Sequence, residues 1–277
     1  MKSMKTRTIP VLAGCLVLAA CSTVPLTGRK QLSLVSSGEL MQMANTQYDQ
    51  FLSESKVLTG TADANRVKSI GNKLARAVET YMNQNGYSEH LKGFQWEFNL
   101  VNNEQKNAFC MPGGKVAVYT GILPVCKTDA GLATVMGHEI AHAIAHHGGE
   151  RMSQSLAAMG VQLAANVALS DKDPQVVNTF NSLYGVGANV GYLLPNSRKQ
   201  ESEADRLGLI FMAMAGYNPS EAVGFWERMS SGAGQKPPEF LSTHPSDERR
   251  IRDIQRHVPE AMKFYTSVPL KSGRFKN

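Results

Sequence analysis

The chain has 277 residues, of which 42% are hydrophobic and 19% are charged, with 24 glycines and 12 prolines. This balance is that of an ordinary folded protein and excludes a disordered, collagen-like or coiled-coil chain. The formal net charge of +6 leaves a nucleic acid or an anionic membrane open as a partner until the basic residues are located.

The first 20 residues are predicted to be a secretory signal peptide. They hold three basic residues and no acidic one, and an apolar run over 9–20 ends in Leu-Ala-Ala immediately before Cys21. Twelve residues are too few to cross a bilayer as a helix. The Leu-Ala-Ala-Cys ending resembles the lipobox of bacterial lipoproteins, which implies that Cys21 is acylated and becomes the first residue; a plain secreted protein is the alternative. Ser22 after the cysteine implies anchoring at the periplasmic side of the outer membrane.

Removal of residues 1–20 would take away three basic residues and lower the net charge from +6 to +3. Apart from a short basic tail at 271–276, the remainder has no block of Lys and Arg of the kind that binds nucleic acid, so we expect no nucleic-acid partner. Besides Cys21, the mature chain keeps Cys110 and Cys126, which could form a disulfide in an oxidising periplasm.

The first part of the mature chain is predicted to contain a tether and two helices. Residues 22–35 are interpreted as an extended tether that follows the lipid-bearing Cys21. Apolar residues then recur at helical spacing over about 36–55 and about 62–85, and the second helix is predicted to begin at Thr61 or Asp63.

A small sheet and further helices are predicted to follow. Between about 94 and 121 the apolar period changes to two, and a strand over 116–119 follows a Pro-Gly-Gly turn. From Asp129 the helical period returns and persists to about 262. We therefore predict one α+β domain over 36–262, mainly helical with a small antiparallel or mixed sheet, and a C-terminal tail over 263–277.

The segment Gly137–Gly148 contains the pattern H-E-x-x-H, formed by His138, Glu139 and His142. Residues four apart lie on one helix face, so both imidazoles can reach one metal ion. Glu139, next to the first histidine, would lie close enough to a water at the metal to accept its proton. The pattern predicts a zinc site with a general base, and a solvated helix that happens to carry histidines is the alternative.

A catalytic zinc site needs a third protein ligand, and the candidates are concentrated over 197–208. Glu201 and Asp205 are four apart and share a helix face, whereas Glu203 lies about 200° from Glu201 and points elsewhere. Glu201 would complete the ligand set, and Asp205 would hydrogen-bond the far nitrogen of a ligand histidine. An exposed acidic helix paired with arginines is the alternative for this segment.

These motifs, GHEIAHAIAHHG and SRKQESEAD, resemble the gluzincin metallopeptidase family of the HtpX and Oma type, in its soluble lipoprotein branch of LoiP-like proteins. The segments NAFCMPGGKVAVYTGIL and THPSDERRI are similar to two further motifs of that family. The resemblance covers about residues 100–255 and implies a zincin-like fold with one zinc ion per chain. It also implies that Glu201 is the third ligand and that Asp205 is the aspartate of the family's E-x-x-A-D motif.

Three other predictions concern the surroundings of the metal. Asn107, Ala108 and Phe109 would lie on an edge strand to which an extended substrate peptide adds, although an ordinary buried strand is the alternative. His244 would donate to the oxyanion of the tetrahedral intermediate, or serve only in packing. His146 is four residues beyond His142 and could rival Glu201 as a ligand. Three ligands from one straight helix would not surround an ion tetrahedrally, so His146 and His147 are interpreted as bystanders near the mouth of the site.

The sequence as a whole predicts a zinc endopeptidase of the bacterial cell envelope, tethered by lipid to the membrane. Its expected substrates are unfolded or damaged envelope proteins, a class suggested by the family resemblance. The alternative is a zinc-stabilised chaperone or assembly factor for outer-membrane proteins. The oligomeric state is left open.

Overall fold

The computed structural model describes residues 21–188, 193–231, 244 and 248–265. The predicted signal peptide over 1–20 and most of the predicted tail over 263–277 therefore lie outside the described residues. Helices form most of the described chain: α1 Ser37–Glu54, α2 Ala62–Gln84, α3 Leu123–Cys126, α4 Asp129–Ile144, α5 His147–Ala168, α6 Pro174–Ala188, α7 Leu194–Met214, α8 Glu221–Ser231 and α9 Glu248–Met262. Among these residues, no helix combines the length and the apolar character needed to cross a bilayer.

The predicted small sheet is mixed. Its strands are β3 Val57–Leu58, β4 Glu97–Val101, β5 Ala108–Met111 and β6 Lys115–Tyr119, and they lie in the order β3-β4-β6-β5. The central pair β4 and β6 is parallel, and both outer pairs are antiparallel. The α+β fold with a small sheet is confirmed, and β5 lies at one edge of that sheet.

Local signals place the helix starts where the sequence predicts them. Ser36 caps α1 in a reciprocal arrangement with Glu39, and the Thr61 side chain accepts a hydrogen bond from Ala64 N at the start of α2. Thr128 caps α4 in the same way, with Gly131 N as donor. The caps satisfy backbone N–H groups that lack partners in the first turn of each helix.

The segment after Cys21 differs from the predicted extended tether. Residues 21–32 form a hairpin of β1 Cys21–Thr23 and β2 Lys30–Leu32, closed by a bond from Val24 N to Arg29 O of 2.8 Å. Val24 is fully buried, and Leu34 N donates to Ser153 Oγ of α5. The segment therefore packs against the helices of the domain, where its apolar and polar groups find partners. Composition alone does not reveal these long-range contacts. Cys21 itself is exposed at the start of β1.

Helix α4 is the centre of the fold. Every residue from Gly131 to Ile144 is buried, because the helix contacts α2, α7, α8 and strand β5. Burial of its apolar side chains stabilises α4 in the interior of the domain. The polar side chains of His138, Glu139 and His142 are buried together with them. Buried polar groups are costly unless they find partners, so the fold must supply partners around this helix.

Candidate metal centre

Two glycines allow α4 and α7 to cross at close range. A Cβ added at Gly208 would lie 2.9 Å from the backbone N of His138, and one at Gly137 would lie 3.0 Å from the carbonyl oxygen of Gly208. Glu201 lies seven residues before Gly208, two helical turns away on the same side of α7. The close crossing therefore brings Glu201 to the face of α4 that carries the two histidines.

The side chains of His138, His142 and Glu201 converge as the sequence predicts. The Nε2 atoms of the two histidines are 3.1 Å apart, and each lies 3.3 Å from a carboxylate oxygen of Glu201. His244 joins them: its Nδ1 lies 2.9 Å from Glu201 Oε2 and 3.1 Å from His138 Nε2. Among the described residues, these four buried side chains place one donor atom each within 4.8 Å of one another.

Asp205 lies against the far ring nitrogen of His138. Its Oδ1 lies 2.9 Å from His138 Nδ1, so the carboxylate accepts a hydrogen bond from the Nδ1–H group and Nε2 faces the cluster. Arg250 in turn donates two hydrogen bonds of 2.8 Å to Asp205, and its guanidinium lies 3.5 Å from the centre of the Trp226 ring. The sequence motifs predicted no role for Arg250, although this residue stands in the segment THPSDERRI that resembles a family motif.

The electrostatics of the cluster favour positive charge at its centre. Burial lowers the pKa of His138, but hydrogen bonds to Asp205 and Glu201 outweigh burial and raise it to about 9. Burial likewise tends to raise the pKa of Glu201, but the adjacent imidazoles, His142 first, hold it well below its ordinary value. The site thus keeps an ionised carboxylate beside imidazoles that face inward.

The residues present fit a bound metal ion. In the neutral form of His138 that is protonated at Nδ1, Nε2 carries a lone pair toward the cluster, and Oε1 of Glu201 is buried and accepts no hydrogen bond from a described residue. Lone pairs converging on one point are stabilised by a cation between them. Two imidazole nitrogens and one carboxylate are a ligand set of catalytic zinc sites.

Glu139 lies beside this cluster without taking part in it. Its Oε1 is buried and accepts no hydrogen bond from a described residue, and His244 Nε2 lies 3.5 Å from it. Burial raises the pKa of Glu139 above its ordinary value, while the charges of His244 and His138 partly oppose that effect. A carboxylate with a raised pKa is suited to exchange protons near neutral pH.

The interpretation of His147 as a bystander is wrong. Its ring is fully buried, with Nδ1 2.8 Å from Nδ1 of His142 and Nε2 3.0 Å from Glu203 Oε2. On a continuous helix, residues five apart would point about 140° away from each other. The chain instead breaks at His146, which has a left-handed φ of 56°, and α5 starts in a new direction that returns His147 to His142.

The predicted substrate-binding residues lie at the edge of the sheet, with Asn107 directly before β5 and Ala108 and Phe109 within it. Tyr119 N donates to Asn107 O, so antiparallel alternation turns the backbone groups of Ala108 and Cys110 away from β6. The N–H of Ala108 bonds to the Asn107 side chain. The Phe109 ring instead packs between β5 and α1, in edge contact with Tyr48 and Phe51.

The proposed disulfide is not formed in the structure. Cys110 and Cys126 are both free thiols, one on β5 and the other buried at the end of α3. Burial, with a smaller contribution from the Glu139 charge, raises the pKa of the Cys110 thiol. Strand β5 packs against α4, the helix that carries Glu139.

Comparison with known proteins agrees with this geometry. The model of peptidase family M48 matches residues 62–258, which include all the residues of the cluster. The chain is 35% identical over 240 residues to the mitochondrial metalloendopeptidase OMA1 of Schizosaccharomyces pombe, covering 86% of this chain and 66% of that protein. It is 30% identical over 246 residues to the human metalloendopeptidase OMA1, covering 86% of this chain and 46% of that protein.

A bacterial protein is also similar. The beta-barrel assembly-enhancing protease of Escherichia coli is 26% identical over 244 residues, covering 85% of this chain and 47% of that protein. The chain thus spans between about half and two thirds of the length of these relatives. The family match extends over most of the chain and includes the H-E-x-x-H helix and the helix of Glu201. This chain therefore belongs to peptidase family M48, a family of metal-dependent peptidases.

Proposed function

We propose that this protein is a zinc-dependent endopeptidase, tethered by an acylated Cys21 to the periplasmic side of the bacterial outer membrane, where it cleaves unfolded or misassembled envelope proteins. One observation carries the proposal of catalysis. The buried carboxylate of Glu139 stands beside the converging donors of His138, His142 and Glu201 without serving as one of them. A site that served only to stabilise the fold would have no use for such a group.

The chain's own residues supply the proton transfers of peptide hydrolysis. His138, His142 and Glu201 would hold the zinc ion, which when bound acidifies water and polarises a peptide carbonyl. Glu139, whose pKa is raised by burial, accepts a proton from the attacking water and returns it to the leaving nitrogen. His244 has its Nε2 3.5 Å from Glu139 Oε1, where a donor can stabilise an oxyanion formed in the same space.

The substrate would bind as an added strand on β5. The outward carbonyl of Ala108 and the outward backbone groups of Cys110 offer pairing to an extended peptide and little selection of its side chains, which suits unfolded segments. A cavity of about 350 Å³ opens beside Glu201 and Asp205, and its lining includes the basic side chains of Arg198 and Lys199. We expect this cavity to accommodate part of the peptide next to the cleaved bond.

The location and the substrate class rest on the sequence around Cys21 and on one relative. The exposed position of Cys21 leaves its thiol accessible for acylation. The name of the Escherichia coli relative refers to the assembly of β-barrels, which are proteins of the outer membrane. Both features support an envelope protease that acts on misassembled proteins.

The proposal is tested by removing the base while keeping the ligands. Glu139→Gln should retain zinc, measured by metal analysis of the purified protein, and should lose cleavage of casein by a factor of at least about 100. Glu97→Gln, which alters a carboxylate paired with Lys115 away from the site, is the matched control and should cleave like the unaltered protein. Undiminished casein cleavage by Glu139→Gln would refute the proposed mechanism.

A chaperone or assembly factor with a structural zinc site is the second candidate, and His244 is the observation that favours it. With His244, four protein donors converge, which is the number typical of a closed structural site. Such a protein would bind zinc and prevent aggregation of unfolded proteins equally well with Glu139 or Gln at that position. Zinc binding without turnover of casein or any other unfolded protein would favour this second function.

A further inference from the structure

The second ligand histidine is oriented by another histidine. His147 Nε2 lies 3.0 Å from Glu203 Oε2. An ionised carboxylate can only accept hydrogen bonds, so His147 is protonated at Nε2 and donates to Glu203. Nδ1 of His147 is then the acceptor for the Nδ1 proton of His142, at 2.8 Å. With its Nδ1 protonated, His142 must direct the lone pair of Nε2 toward the cluster, which is the form that can bind a metal.

Arg29 holds the outer end of this chain of hydrogen bonds. Its Nε donates to Glu203 at 2.8 Å, and its two terminal nitrogens donate to the two oxygens of Glu150 at 2.8 and 2.7 Å. Thr27 donates to the other oxygen of Glu203. Glu150 and Glu203 are almost completely buried, so Arg29 is the cation that compensates their charges at this place.

The two ligand histidines therefore have equivalent supports that come from opposite ends of the chain. His138 bonds to Asp205, which is held by Arg250 of α9. We propose that Arg29 is the corresponding positioning residue for His142: acting through Glu203 and His147, it fixes the orientation and the tautomer of this ligand and thereby sets the affinity of the centre for its metal.

The consequence is that the segment next to Cys21 completes the metal centre. Arg29 follows directly on the turn that joins β1 to β2, and this hairpin is docked by the buried Val24 and by the bond from Leu34 N to Ser153. Residues 21–35 thus connect the proposed point of membrane attachment to a metal ligand through three side chains. Metal affinity is expected to depend on this segment being docked.

Zinc affinity of the full chain, measured by competition with a chromogenic chelator, tests the proposal. Arg29→Met and Glu203→Gln should each weaken Zn²⁺ binding about 10-fold, a typical effect of removing the partner of a ligand histidine. Glu203→Gln leaves the paired bonds between Arg29 and Glu150 intact, so it separates the support of His142 from docking of the hairpin. Arg66→Met is the matched control, because Arg66 is as exposed as Arg29 but pairs with Asp129 and should leave the affinity unchanged.

A double-variant comparison excludes a merely structural effect. If Arg29 acts through His147, then adding Arg29→Met to a His147→Leu variant should not weaken zinc binding further. Independent, multiplying effects of the two substitutions would overturn the proposal, as would Arg29→Met and Glu203→Gln variants that bind Zn²⁺ as tightly as the unaltered protein.

The inference rests on the metal site of the proposed function but not on its catalysis. Zinc affinity that depends on Arg29, in a protein that cleaves no casein, would support this inference and refute the endopeptidase. Casein cleavage by a protein whose zinc affinity is unchanged by Arg29→Met would support the endopeptidase and refute this inference.

Discussion

The close crossing of α4 and α7 makes a sharp prediction for Gly208→Ala. The added Cβ would lie 2.9 Å from the backbone N of His138, whereas ordinary contacts begin at 3.4 Å, so the two backbones must separate by about 0.5 Å. Overpacking of this kind costs about 1–3 kcal/mol. Replacing a glycine by alanine within a helix stabilises that helix by about 1 kcal/mol. The net loss in the free energy of unfolding should therefore be at most about 2 kcal/mol.

The separation should also reach the metal centre, because Glu201 is on α7 and His138 is on α4. Catalytic groups need to be held to within about 0.5 Å of their working positions. We therefore expect kcat/KM for casein-derived peptides to fall about 10-fold and zinc affinity to fall with it. The assays are urea unfolding of the metal-free protein, chelator competition and peptide cleavage.

Gly160→Ala is the matched control. Gly160 lies within α5, and a Cβ there would meet no atom within 4 Å. This variant should gain up to about 1 kcal/mol from helix propensity and keep its activity. If Gly208→Ala were as stable and as active as Gly160→Ala, the reasoning that the glycine contact positions Glu201 would be refuted.

Three further predictions concern stability and the thiols. Arg206 donates to Glu260 and lowers the pKa of that carboxyl, so this pair stabilises the fold above the ordinary glutamate pKa and loses its effect as the pH falls through the lowered value. In thermal melts, Glu260→Gln should be less stable than the unaltered protein at pH 7 by at most about 1 kcal/mol and equal to it near pH 2, and a larger difference at low pH would contradict the sign. Burial raises the pKa of Cys126 to about 12, so Cys126 and Cys110 should resist alkylation at pH 8 in the native state. Both should be alkylated after denaturation without reductant, and mass spectrometry that found them joined would contradict the structure. Tyr48→Phe removes a buried 2.7 Å hydrogen bond to a β6 carbonyl and should cost about 1–2 kcal/mol in urea unfolding, whereas no loss would mean that the bond contributes nothing net.

Local patterns accounted for the parts of the fold that depend on neighbouring residues. The starts of α1 and α2 follow from Ser36 and Thr61, whose side chains cap the first turn whatever the helix packs against. Strand order is different, because the parallel pairing of β4 with β6 joins segments separated by the edge strand β5. That arrangement depends on long-range burial, which periodicity does not encode.

At the candidate metal centre, the sequence by itself was enough to name the proposed ligands and the proposed base, since His138, Glu139 and His142 are related by helical spacing, as are Glu201 and Asp205. Only the tertiary structure decided what supports them. The left-handed backbone at His146 turns His147 toward His142, and the docked hairpin brings Arg29 to Glu203 across 174 residues of chain. These contacts join segments whose relative placement comes from packing of the whole domain, and a buried carboxylate takes its partner from whichever cation that packing brings within reach.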